Sequence, residues 1–367
     1  MTLSSTWRFP WMCLIRQWHA GSGHLMNSRI PAALMRSAGA AFPGCQLLRG
    51  MNRRRPPPAG QRWNSAMTDR PESLVIRPPS EWRSLLVRIT RGCNWNRCRF
   101  CGIYPAMGQT GFSIRSLAEI CSDIDLLVRL HPRAETAFFG DADPLAAGME
   151  IFCGAARYLR RCRPVQRLTC YGRIATLHRL GPENIRRLAE AGLDRIHVGL
   201  ESGDAGILRR QRKGQSPEMA VQVARWLKEA GIELSCYVLL GLGGRDRWRQ
   251  HITGTARLVN TIEPEFVRIR RLWLHGNAEN GCPLWQEVAT GAFVEQSPEG
   301  TVREVELLLG LLHPLNTFFA CDHANNYIQV SGLLREDRDE MLAEVREFLA
   351  RPEEQRRVHY TVIGSRI

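Results

Sequence analysis

From Trp82 onward, apolar strand-like runs alternate with amphipathic helix-like stretches, and few folds satisfy that rhythm. The strand candidates are 85–90, 135–139, 167–171, 195–200, 233–240 and 265–271. Between them, apolar residues recur at helical spacing near 115–130, 146–162, 183–192, 217–230 and 247–260. Ser216-Pro217-Glu218 and Gly181-Pro182-Glu183 put proline in a first helical turn beside an acid, and Gly192 and Gly231 each follow an alanine as helix ends do. Six strands with interleaved helices read as a parallel α/β sheet. Alternation alone does not separate a partial barrel from a doubly wound sheet. In either fold, chemistry gathers at the C-terminal ends of the strands.

The first of those ends carries Thr90-Arg91-Gly92-Cys93-Asn94-Trp95-Asn96-Arg97-Cys98-Arg99-Phe100-Cys101, directly after Leu85-Leu86-Val87-Arg88-Ile89. The spacing is C-x4-C-x2-C. Three thiolates on one short loop suit three corners of a [4Fe-4S] cube and leave the fourth iron open to a small molecule. Two other readings share the pattern. Cys-x2-Cys also serves structural zinc, for which Cys121 and His131, within and at the end of a helix-like run, are the nearest later candidates. The thiols could equally be inert and buried.

The segment resembles the cluster loop of radical S-adenosylmethionine (radical SAM) enzymes, with Phe100 in the aromatic place before the last cysteine. The usual three residues between the first two cysteines are four here; the form G-C-x-x-N-x-C-x-F-C is similar to a recurrent subgroup. The resemblance spans about residues 81 to 275 and weakens toward the C-terminus. It implies a partial (β/α)6 TIM-type barrel over 67–275, with a small C-terminal α-rich extension, 276–367, on the substrate side. It also implies that Cys93, Cys98 and Cys101 hold a [4Fe-4S] cluster whose open iron chelates S-adenosyl-L-methionine. The reaction implied is reductive cleavage to a 5′-deoxyadenosyl radical that abstracts hydrogen from a substrate. The electron donor implied is of flavodoxin or ferredoxin type.

The same resemblance assigns further residues. Asp141-Ala142-Asp143-Pro144 overlays the motif that receives the methionine ammonium, with Asp143 in the acid's place; helix-capping aspartates are the plain alternative. Arg173, after the third strand, is a partner for the methionine carboxylate or for substrate. Glu201 and Ser202, after the fourth, offer acceptors for ribose hydroxyls or the ammonium, and Lys213-Gly214 follows in a fitting position. Gly241 and Gly243 in Gly241-Leu242-Gly243-Gly244 would let backbone approach the adenine. That run lacks the remaining residues of a phosphate loop or dinucleotide fingerprint. His251 reads as a helix-surface or packing histidine. Asp322 and His323 read as substrate-side residues or as a buried polar pair. Cys153, Cys162, Cys282 and Cys321 are too isolated for an auxiliary cluster, and without a D-x-H-x-x-G signature a cobalamin-dependent enzyme is not favoured.

Charge bears on what else the chain does. Nine arginines and no Asp, Glu or Lys lie in residues 1–68, and they carry most of the formal +14. Residues 1–66 show no sustained period and read as a disordered basic extension. A nucleic-acid-binding tail and an Arg-rich targeting segment compete with the reading adopted, that the native chain starts near Met67. No run of 18 apolar residues exists, so no membrane partner is expected. The 12 cysteines lack the frame of a secreted disulfide scaffold, and an oxygen-sensitive cluster needs a reducing compartment, so the protein is expected in the cytoplasm. Two other functions stay open: an RNA-modifying, methylthiotransferase-like radical SAM enzyme, and a non-catalytic zinc- or cluster-binding protein. Beyond the extension the charge is modest and no RNA-binding module is visible, so nucleic acid is not the expected partner. The substrate is unidentified.

Overall fold

The computed structural model describes residues 70–74, 76–109, 111–274 and 282–364. The expected basic extension, 1–66, lies outside them. Six parallel strands run β1 (Leu85–Arg88), β2 (Thr136–Gly140), β3 (Arg167–Gly172), β4 (Arg195–Glu201), β5 (Glu233–Leu240) and β6 (Phe266–Arg271). Two more follow, β7 (Phe318–Cys321) and β8 (Val330–Leu333). Hydrogen-bonded order equals chain order from β1 to β8, with β7 parallel to β6 and β8 antiparallel to β7. A doubly wound sheet reverses its strand order at a switch point. This sheet never reverses, so it is wound in one sense, as a partial barrel is, with β1 and β8 at its edges.

The helices include α1 (Leu117–Leu130), α2 (Met149–Cys162), α3 (Ile174–Glu190), α4 (Ala205–Arg210), α5 (Pro217–Glu229) and α6 (Gly244–Ile262), then α7 (Pro298–Leu311), α8 (Leu334–Ala350) and α9 (Glu353–Gly364), with short ones at Ile103–Ala106 and Leu284–Ala289. Their starts follow the sequence. Ser116 closes a capping box with Glu119 before α1, and Ser216 accepts from the Met219 amide before Pro217 opens α5. α3 is two helices joined at Gly181, whose φ of 74° only glycine adopts freely. The expected start at Gly181-Pro182-Glu183 is therefore real; the preceding turns from Ile174 were not anticipated.

Strand side chains alternate between two faces. On β4, Ile196, Val198 and Leu200 join the core shared with α2, α3 and α5, whereas His197, Gly199 and Glu201 face the concave side. Leu168 and Cys170 of β3, and Ala137 and Phe139 of β2, pack the same outer core. Phe139 meets Phe152 of α2 edge-on at 5.6 Å. A second core under α6, α7 and α8 takes Val267 and Ile269 of β6 and Phe319 of β7. The C-terminal region is thus α-rich as expected, and it also lengthens the sheet by two strands.

An N-terminal strap bears on the concave side. Glu72 accepts from Arg88 and Arg91 and pairs with Arg115 at 3.2 Å. Glu81, fully buried, accepts from the Ser84 hydroxyl at 2.6 Å and lies 3.6 Å from His197 Nε2, closing the lumen at the N-terminal ends of the strands.

Candidate active site

The cysteine loop leaves β1 through Gly92. Its φ is 75°, and an added Cβ would sit 2.2 Å from the Gly111 carbonyl oxygen, so only glycine fits. Four bonds then fix the loop over the strand ends. Asn94 Nδ2 donates to Asp143 Oδ2 at 3.0 Å, Trp95 Nε1 to the Arg212 carbonyl at 2.7 Å, the Arg99 amide to the Gln211 carbonyl at 3.0 Å, and the Leu284 amide to the Arg99 carbonyl at 2.8 Å. Trp95 lies against Gly214, where a Cβ would approach its ring to 2.7 Å, and the guanidiniums of Arg173 and Arg97 stand 4.9 and 5.2 Å from that ring. Neither Asn94 nor Trp95 was singled out in the sequence. Their position inside the cysteine spacing was the available signal.

Cys93, Cys98 and Cys101 are all half-buried free thiols. Cys98 and Cys101 pack against Phe100, Ile207, Leu242, Leu284 and Phe293. Burial pushes the Cys101 thiol up to about 12, and burial also raises Cys98, against the opposing charge of Lys213. Among the described residues no three His, Cys, Asp or Glu side chains converge as ligands of a single metal ion do. A cubane asks something different, because each thiolate reaches its own iron.

Around the loop stand the other expected residues. Glu201, in the left-handed region at φ 63°, accepts from Lys213 Nζ at 2.7 Å. The pair lies over Gly199, where a Cβ would be 2.0 Å from Glu201 Oε1 and 2.7 Å from Lys213 Nζ. Asp143 is fully buried; Oδ2 accepts from Thr176 Oγ1 at 2.5 Å as well as from Asn94, while Oδ1 has no partner among the described residues. Burial raises its carboxyl above the ordinary range, partly offset by Thr176 and Arg173. Arg173 donates to the Lys213 carbonyl at 3.2 Å, which ties the loop after β3 to the one after β4.

Several expected residues are otherwise engaged. Asp141 is buried and its carboxylate meets Arg88 at 2.7 Å and the Ile76 amide at 3.4 Å, so its charge is neutralised beneath the loop; Ala142 stands half-buried between the two aspartates. Ser202 faces the helix layer. Its hydroxyl bonds His251 Nδ1 at 2.8 Å and accepts from the Asp204 amide at 3.0 Å. His251 Nε2 reaches the Leu239 carbonyl at 3.1 Å, and since a carbonyl only accepts, Nε2 carries the proton. Burial holds this ring neutral, with its pKa near about 4, so His251 is a packing residue. Gly243 lacks a Cβ for internal reasons, since one would fall 2.8 Å from the Arg247 carbonyl oxygen. The Gly241 amide donates to Glu304 Oε2 at 2.7 Å. Ser202, Gly241 and Gly243 thus shape the strand ends rather than present free polar groups, because the turn into α6 needs them.

The lumen below is aromatic and cationic. Phe138, Tyr171, His197 and Tyr237 pack edge-on or tilted, with centroid separations of 5.0 to 6.5 Å. Burial lowers His197 to about 4, opposed by the nearby carboxylate of Glu81. Arg268 and Arg270 of β6 face the same space, and Asp322 and His323 sit at its rim, Asp322 3.8 Å from Arg270. A surface cavity of about 740 Å³ lies elsewhere, between α4, α5 and α6.

A family model described as the radical SAM superfamily matches residues 87–253. No curated protein is detectably similar in sequence. Solved structures of similar fold include a radical S-adenosylmethionine methyltransferase from Kitasatospora setae with cobalamin and a [4Fe-4S] cluster bound: 17% identity over 56% of this chain and 36% of that one, TM-score 0.45. The chain thus spans well under two-thirds of that enzyme's length. Methylornithine synthase is 15% identical over 76% of this chain and 84% of its own, TM-score 0.47. Coproporphyrinogen III oxidase from Escherichia coli is 15% identical over 67% and 53%, TM-score 0.49. The likeness to the radical SAM superfamily thus runs over residues 87–253, under half of the chain, from β1 and the cysteine loop into α6, the helix after β5.

Proposed function

We propose that Cys93, Cys98 and Cys101 ligate a [4Fe-4S] cluster, and that the protein uses it with S-adenosylmethionine to start radical chemistry on a substrate held in the barrel lumen. The match of residues 87–253 to the radical SAM model supports an enzyme that uses these two cofactors. The observation that carries the residue assignment is the loop itself: three thiols on one segment, held by Asn94, Trp95 and Arg99 over the C-terminal strand ends. The donor set fits the cluster. Thiols kept protonated by burial become thiolates beside cationic iron, and the apolar packing around Cys98 and Cys101 limits access of water.

The surroundings fit S-adenosylmethionine as well. Among the described residues the Oδ1 atoms of Asp143 and Asn94 are buried without partners and suit an ammonium donor, with Ala142 beside them. Asp141 then acts indirectly, holding Arg88 under the loop. Arg173 is the cation for the methionine carboxylate. Glu201, oriented by Lys213, is the acceptor for the ribose. Bound there, the cluster and S-adenosylmethionine supply one-electron cleavage of the sulfonium and hydrogen abstraction. The chain's own residues bind, orient and exclude water. The electron is assigned to a flavodoxin- or ferredoxin-type donor in a reducing, cytoplasmic setting.

The test is anaerobic. The protein is reconstituted with iron and sulfide, reduced with dithionite and given S-adenosylmethionine, and 5′-deoxyadenosine is quantified beside Cys98→Ala. Product from the wild type alone is expected. Zinc bound in place of about four irons per chain would overturn the assignment.

A further inference from the structure

The buried and half-buried arginines of the sheet fall into two groups among the described residues. Most are neutralised: Arg88 by Asp141 and Glu72, Arg115 by Glu72 and Asp123, Arg167 by Glu81, Arg195 by Glu233. The last strand of the parallel core breaks that pattern. In Phe266-Val267-Arg268-Ile269-Arg270-Arg271, the alternate residues Val267 and Ile269 enter the hydrophobic core, which turns Arg268 and Arg270 to the lumen. Register sets Arg268 beside Tyr237 and Arg270 beside Leu239, at the end of the sheet that carries the cysteine loop.

Arg268 is 8% exposed, and its one hydrogen bond among the described residues runs from Nε to Ser235 Oγ at 3.1 Å. Arg270 stands 5.1 Å from the Tyr237 ring centroid and donates from Nη1 to the Ile269 carbonyl at 2.8 Å. Arg271, turned to the other face, donates to the Tyr327 hydroxyl at 2.7 Å, and its Nε and Nη2 are buried without partners among the described residues. Against these three guanidiniums the described residues set one carboxylate, Asp322, 3.8 Å from Arg270 and 58% exposed. His323 adds no negative charge. A buried guanidinium without a counter-ion is costly. Arg268 and Arg270, two residues apart on β6, thus bring two guanidiniums to the lumen, with one partly exposed carboxylate among the described residues to balance them.

We propose that Arg268 and Arg270 bind the anionic group, carboxylate or phosphate, of a small-molecule substrate, with Tyr171, Tyr237 and His197 walling its body. This rests on the lumen being the substrate chamber. Guanidinium forks match both oxyanions bidentately, so the shared chemistry is a planar or tetrahedral oxyanion. A substrate anchored there is held at the depth of the strand ends, below the cysteine loop.

The experiment titrates the full-length reconstituted protein with malonate and, separately, with inorganic pyrophosphate by calorimetry at fixed ionic strength. Arg268→Gln, Arg270→Gln and the exposed outer-helix control Arg249→Gln are compared. At least one probe should bind the wild type and the control equally, and bind each lumen variant about tenfold more weakly or less, as expected for loss of a charge-assisted contact. The preferred probe identifies carboxylate or phosphate. If Arg268→Gln proves destabilised in thermal melts, the more accessible Arg270→Gln decides. Cys98→Ala should keep probe binding while losing 5′-deoxyadenosine formation. A protein that makes 5′-deoxyadenosine but binds neither probe, or binds them equally in all variants, overturns the anion site alone. Probe binding without 5′-deoxyadenosine overturns the cluster assignment alone.

Discussion

Lys213 has neutralised Glu201 beneath the cysteine loop, 12 positions further along the chain, and the pair illustrates what single residues do here. Both side chains are nearly buried, and the left-handed backbone at Glu201 is held while Gly199 leaves room for the carboxylate. Removing one partner of a buried pair leaves the other charge uncompensated, which costs roughly 3 kcal/mol. Lys213→Met should therefore lower unfolding free energy by about that amount, whereas the double change Lys213→Met with Glu201→Gln should recover much of it. Urea melts of the four proteins check this, and a double variant no more stable than Lys213→Met would show the pair is not coupled. The cysteines stood out in the sequence because three of them share one short loop after a strand. Asn94 was not, since an asparagine between cysteines carries no signal until Asp143 is seen 3.0 Å away. Ser202 misled for the opposite reason: its position matched a binding role, but its hydroxyl turned toward His251.

At the scale of elements, the end of β5 depends on a residue of α7. Glu304 is fully buried, accepts from the Gly241 amide at 2.7 Å and from Gln296 Nε2 at 3.2 Å, and burial raises its carboxyl to about 7. The sign follows from linkage. A carboxyl harder to ionise in the folded than in the unfolded state contributes stability that is full below the ordinary carboxyl range, near 4, and is lost as pH rises through about 7. Stability should fall across that window in the wild type, and Glu304→Gln should flatten this component while preserving the contact to Gly241. Denaturant melts from pH 4.5 to 8 read it out, and identical slopes in both proteins would refute the assignment. Element positions were largely readable, because each outer strand face and each helix stripe repeats its apolar period. β7 and β8 escaped notice, being four residues each, with His323, Asn325 and Asn326 between them hiding the period.

On the scale of the molecule, the cysteine loop joins three segments that lie far apart in the sequence. Through Asn94 it holds the turn after β2, through Trp95 and Arg99 the segment 211–212 after α4, and through the Arg99 carbonyl the segment at Leu284 beyond the last core strand. Arg99 and Arg210 both pair with Glu287, which fastens that segment again. The sheet's far edge, β7 and β8, is built instead on the core under α7 and α8 and shares none of these bonds. A cluster held by Cys93, Cys98 and Cys101 binds only the folded loop, so iron should stabilise the regions the loop ties down and leave the far edge alone. Anaerobic removal of iron with a chelator, followed by hydrogen exchange, should lose protection in 93–101, 205–215 and 284–289, with β7 and β8 unchanged. Uniform loss across the sheet would instead mean that the cluster supports the whole fold. Loss confined to 93–101 would mean that the hydrogen bonds from Trp95 and Arg99 transmit nothing to their partners.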